Sequence, residues 1–178
     1  MNLTVDANVL VSELAGPEHV LRSVLVDSRI GRLLVAEKAW DEAQHELPKR
    51  FDGMVQKGRY IQEEADHILG VAMLAIAFRI TLIAEEEYAP FEAEARLRMP
   101  DDPDDWHTVA LALATDTGIW TRDKKHFFGC GIPVWSTPVI RAILANRVEG
   151  DSREKLSPDA MKRHVALTMR PIYDEANL

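Results

Sequence analysis

Apolar residues along the chain come in two rhythms, short β-rich runs and longer stretches spaced by threes and fours, and the two alternate. Leu3-Thr4-Val5 reads as a short buried strand ending at Asp6, after which Ala7 to Leu14 turns helical. Gly16-Pro17 breaks that helix, and Val20, Leu21, Val24 and Leu25 carry the buried face of a second, which Gly31 closes. Arg32 to Ala36 is the next strand, followed by a helix from about Glu37 to Phe51 on which Trp40, Ala43 and Leu47 share a face. Asp52-Gly53 is expected to turn the chain into a long helix that starts near Met54 and runs to Phe78. Arg79 to Ile83 makes a third strand, and Phe91 to Leu97 a short helix. Beyond the acidic turn Asp101 to Asp105 comes an Ala/Leu/Val helix, then a strand from Gly118 to Thr121 and a short helix from Lys124 to Phe128. Pro133 to Trp135 is the last strand, and Thr137-Pro138 opens a helix over Val139 to Arg147. Strands separated by helices favour parallel pairing, so the expected fold is α/β: a three-layer α/β/α sandwich around a central, mostly parallel sheet of about five strands.

That pattern places one domain over residues 1–148. The polar stretch Glu149 to Leu156 then sets off a C-terminal extension, 149–178, with a helix begun by Ser157-Pro158. A chain of 178 residues, 47% of them hydrophobic, is large enough to bury a core. The single cysteine, Cys130, excludes an internal disulfide and a Cys-rich zinc site and reads as a small, half-buried residue that suits a reducing compartment. Met1 to Asp6 lacks the basic then apolar pattern of a secretory signal, so the expected location is cytoplasmic. The longest apolar run, Ile68 to Phe78, is too short to span a membrane and meets Arg79, which makes it a buried helix running into a strand and leaves no membrane partner. A net charge of −8 argues against non-specific nucleic-acid binding, unless the acids gather around cations that reverse the local sign.

The acids lie where such a reversal could happen. Asp6 ends the first strand, at the edge where α/β sheets place their chemistry, although capping the next helix would also explain it. Four aspartates surround Pro103 at a helix start, and Asp123 falls near the end of the fourth strand. Carboxylates on separate elements are what a hard divalent cation requires. Glu63, Glu64, Asp66, His67 and the run Glu85-Glu86-Glu87 read instead as solvated faces, and Trp106, Phe127 and Phe128 as packing residues.

Val5-Asp6-Ala7-Asn8-Val9-Leu10, then Glu42, then Asp105 leading into Val109-Ala110-Leu111-Ala112, then Thr121-Arg122-Asp123, resemble the PIN-domain family of metal-dependent ribonucleases over Met1 to about Ala145. The resemblance implies Asp6, Glu42, Asp105 and Asp123 as the four metal-holding acids, with Asp102 as an outer ligand and Glu46 as the competing second acid. Asn8 and Thr121 would orient carboxylates or the substrate phosphate. It also implies Mg²⁺ or Mn²⁺, and hydrolysis of RNA by metal-activated water with no covalent intermediate. Many small bacterial members resemble the VapC-like toxins, which usually dimerise and are inhibited by a small antitoxin; membership there would imply a homodimer with such a partner, but this chain is longer than those commonly are. Arg122, Lys124, Lys125 and His126, and also Arg96 and Arg98, stand as cations for gripping the strand or as ordinary surface charge, and His107 as a general base that a metal would make unnecessary. Two rivals remain. A haloacid-dehalogenase-like phosphatase would need a second aspartate where Asn8 stands. A non-cleaving PIN-like module would bind RNA or protein, though unrelieved repulsion among clustered carboxylates would then cost it stability.

Overall fold

The structure, a computed structural model of the chain, describes residues 1–15, 30–77 and 80–145. Strand β1 (Leu3–Val5) runs into helix α1 (Ala7–Ala15), and β2 (Leu33–Ala36) into α2 (Glu37–Gln56). Helix α3 (Gln62–Ala77) leads to β3 (Ile80–Ile83), then α4 (Glu85–Tyr88), a 3-10 turn over Ala89–Phe91, and α5 (Glu92–Arg98). A second 3-10 turn, Pro103–Asp105, opens α6 (Trp106–Thr115), followed by β4 (Gly118–Trp120), α7 (Lys124–Phe127), β5 (Val134–Trp135) and α8 (Thr137–Ala145).

The five strands form one sheet in the order β3-β2-β1-β4-β5, and every neighbouring pair is parallel. Both β1 and β2 are buried throughout, which is why they read as continuous apolar runs rather than as alternating ones. Helices α1, α2 and α3 pack on one another, while α4, α5 and α6 form a second group with α6 lying on β1 and β2, giving the expected three layers. Gly118 begins β4 because a Cβ there would strike the Trp135 ring and come within 3.0 Å of the Pro133 carbonyl. The chain winds from β1 outward to β3, then returns to the other side of β1 for β4, so the order reverses between β1 and β4. Crevices at such a reversal are where α/β sheets bind ligands.

Three expectations change. Asp52-Gly53 does not turn the chain: α2 continues to Gln56, and the turn falls at Gly58, whose φ is +67°. Burial of Leu47 and Phe51 holds the helix through a glycine that costs about 1 kcal/mol relative to alanine. Consequently α3 starts at Gln62 and not near Met54. Its apolar run is also less buried than expected, since Val71 and Leu74 are 43% and 64% exposed. No described helix is long and apolar enough to cross a membrane. The helix expected around Val20 to Leu25 and the extension 149–178 lie outside the described residues.

Candidate metal centre

Asp6 is the first residue beyond β1 and is buried. Its Oδ2 accepts a 2.7 Å hydrogen bond from the Thr121 hydroxyl, and its carboxylate also accepts from the Asn8 backbone N–H and side chain. The bond from the Asn8 backbone caps α1, so Asp6 is both a cap and a member of the site. Burial pushes its pKa up from 3.8 to about 6, helped by the charge of Glu42 and opposed by the bonds from Thr121 and Asn8. Thr121, fully buried just past β4, also accepts from the Asp123 N–H at 2.9 Å, so one hydroxyl ties together the ends of the two strands flanking the reversal. Asp123 in turn caps α7, accepting from the N–H groups of Lys125 and His126 at 3.2 and 3.4 Å.

Asp105 sits where the 3-10 turn passes into α6. Its carboxyl is likewise pushed up to about 6, first by burial and then by the charges of Asp6, Asp102 and Asp123, with His126 acting the other way. Glu42 is raised by burial and by Asp105, Glu46 and Asp102. The charge of Asp105 is therefore coupled to those of Asp6, Glu42 and Asp123, but Asp6 and Asp123 belong to neither close group of ligand atoms among the described residues. Glu46 is turned to a different partner: Lys49 holds it at 2.6 Å and lowers its pKa. Asp102 lies at the rim, 2.7 Å from His126 Nδ1, and that nitrogen is 3.4 Å from Asp123.

Ligand atoms of Glu42, Asp105 and His107 lie within 4.8 Å of one another, and so do those of Asp102, Asp105 and His126. Such spacing and an oxygen-rich donor set fit a divalent cation. His107 is buried, with its pKa pushed down to about 4 by that burial, and its Nε2 has no hydrogen-bond partner among the described residues.

Beside the acids runs an open groove of about 520 Å³, lined by Asn8, Ser12, Arg50, Arg122, Lys124 and Lys125 as well as Asp123. Arg50 was not singled out in the sequence, although its spacing of four from Glu46, itself four from Glu42, places all three along one side of α2. Arg96 and Arg98 are not part of the groove. Arg96 binds Glu92 and the Pro103 carbonyl and stacks over Trp106, while Arg98 binds Glu94 and the Cys130 carbonyl. Trp106 is buried against Tyr88, with Lys38 also over its ring, and Phe127 and Cys130 are fully buried. Phe128 departs from expectation by being 44% exposed.

An all-parallel α/β domain with carboxylates at its switch point and cations alongside offers a place where a divalent cation and a phosphate could meet. A family model described as PIN domain matches residues 4–145, and the chain belongs to that family, whose members are generally nucleases that use divalent metals. No curated protein matches the chain.

Proposed function

We propose that the chain is a Mg²⁺- or Mn²⁺-dependent endoribonuclease whose metal is held by Asp6, Glu42, Asp105 and Asp123. What supports this most is the convergence of those carboxylates: two of them have pKa values lifted to about 6, and a cation would remove the repulsion. The bound metal supplies an activated water and stabilises charge on the phosphate and the leaving oxygen. Asp6 and Asp105, the two most strongly perturbed, serve as the inner ligands. Thr121 and Asn8 fix the Asp6 carboxylate through the hydrogen bonds described above. Glu42, the most exposed of the four, and Asp123 hold water at the site. Arg50, Arg122, Lys124 and Lys125 bind backbone phosphates along the groove, which lets an acidic protein engage RNA locally despite its overall charge.

The rival is a module that binds RNA or protein without cutting it. Single-stranded RNA incubated with Mn²⁺ and either the protein or its Asp6→Asn variant separates the two. Cleavage by the wild type alone, abolished by EDTA, is the expected result. Cleavage by both proteins would mark a contaminant, and cleavage by neither would favour the module.

A further inference from the structure

The metal-holding acids are matched to the family's four positions, yet the side chain closest in kind to a transition-metal ligand is one that this matching leaves out. His107 lies two residues beyond Asp105 in the first turn of α6, and only 6% of its surface is exposed. A buried imidazole normally satisfies both nitrogens, because an unpaired polar atom away from water is costly. Here the Asp104 backbone carbonyl accepts a hydrogen bond from the ring, while Nε2 has no partner among the described residues. The bond to Asp104 is therefore made by Nδ1–H, and the free lone pair is on Nε2. Orientation of a ring by a backbone carbonyl on one nitrogen, with the other left open, is how metal-ligating histidines are usually held. The histidine also forms one of the close groups of ligand atoms, with Glu42 and Asp105, all within 4.8 Å. His126, the other histidine nearby, differs in both respects: it is 44% exposed, and its Nδ1 already binds Asp102 at 2.7 Å.

We propose that His107 Nε2 is a direct ligand of the bound metal beside Asp105, with Glu42 holding a metal-bound water next to it, and that this nitrogen makes the site favour a first-row transition ion such as Mn²⁺ over Mg²⁺. The inference rests on the metal-dependent reading above. Mg²⁺ takes oxygen ligands and sheds water reluctantly, whereas imidazole suits transition ions, so one nitrogen donor shifts the balance between them.

The test is pulsed electron paramagnetic resonance of the full chain loaded with Mn²⁺, which detects a directly coordinated nitrogen. Modulation from ¹⁴N is expected in the wild type, replaced by the ¹⁵N pattern when histidine is isotopically labelled. It should persist in His126→Gln and vanish in His107→Gln. Equilibrium titration should show Mn²⁺ affinity falling at least about tenfold in His107→Gln, the scale of loss when a metal ligand's support is removed, with Mg²⁺ affinity changed by less than about threefold. Labelling of the wild type shows that a histidine is coordinated and His126→Gln excludes the other histidine nearby, so the result stands even if His107→Gln folds poorly. Mn²⁺ bound without nitrogen coupling, or coupling that disappears in His126→Gln instead, overturns the assignment and leaves the acid-held metal intact. A protein that binds no Mn²⁺ at all overturns both.

Discussion

Asp6→Asn tests the physical claim beneath the site, because it should make the metal-free protein more stable while destroying its activity. A carboxyl lifted from 3.8 to about 6 on folding withholds about 3 kcal/mol of stability once the pH is well above the folded value. The penalty is absent below the unfolded pKa of 3.8, grows as the pH rises toward about 6, and is complete above it. Asparagine removes the charge and retains an oxygen to accept from Thr121, and it also relieves Asp105, which is raised in part by Asp6. Allowing for imperfect pairing of the new amide, the net gain is about 1–3 kcal/mol, or roughly 3–10 °C in melting temperature for a chain of this size. The assay is thermal unfolding by circular dichroism in EDTA, at pH 7.5 and at pH 4.5. The variant should melt above the wild type at pH 7.5, and the gap should narrow by about 2 kcal/mol at pH 4.5. Saturating Mn²⁺ should stabilise the wild type at pH 7.5, by about 2.7 kcal/mol when present at a hundred times its dissociation constant, and should do little for the variant. A metal-free variant that melts at or below the wild type at pH 7.5, or a gap indifferent to pH, would refute the claim that uncompensated charge is stored there.

Other consequences are local. Glu42→Gln should abolish cleavage in single-turnover assays, whereas Glu46→Gln, which loses an exposed pair with Lys49 and a weak charge effect on Glu42, should change the rate by less than about threefold; equal losses would mean that the second acid is misassigned. Arg50→Ala, placed in the Asp6→Asn background and measured by fluorescence anisotropy, should weaken RNA binding whatever the base sequence and reduce the salt slope by about 0.7–0.9. An unchanged slope would remove Arg50 from the strand's path. Gly118→Ala should cost about 1–3 kcal/mol in urea unfolding, since its methyl group meets the Trp135 ring and the Pro133 carbonyl; a neutral result would mean that β4 and β5 can separate freely.

Much of this protein can be read along the chain because strands and helices leave periodic traces. Buried parallel strands appear as short apolar runs, and β1, β2, β3, β4 and β5 all fall within a residue or two of where those runs lie. Asp6, Asp105 and Asp123 stand out by their places at element ends, a local property. Element ends were less legible. Whether Gly53 breaks a helix depends on what Phe51 and Leu47 find to pack against, and that lies elsewhere in the fold. Arg96 and Arg98 stood in the sequence as cations for gripping a strand or as ordinary surface charge, and their pairing with Glu92 and Glu94 and their bonds to backbone carbonyls needed the folded chain.

By itself the order of residues determined the class of fold, the nature of the candidate acids and their positions beside strands and helices, because hydrophobic period is a property of neighbouring residues. The tertiary structure alone decided that Glu42 and not Glu46 faces Asp105, that Thr121 joins Asp6 to Asp123, that Arg50 lines the groove, and that His107 comes to rest among the acids with a nitrogen that no described residue partners. Those outcomes depend on which strand lies beside β1, and strand order is a property of the whole packed sheet.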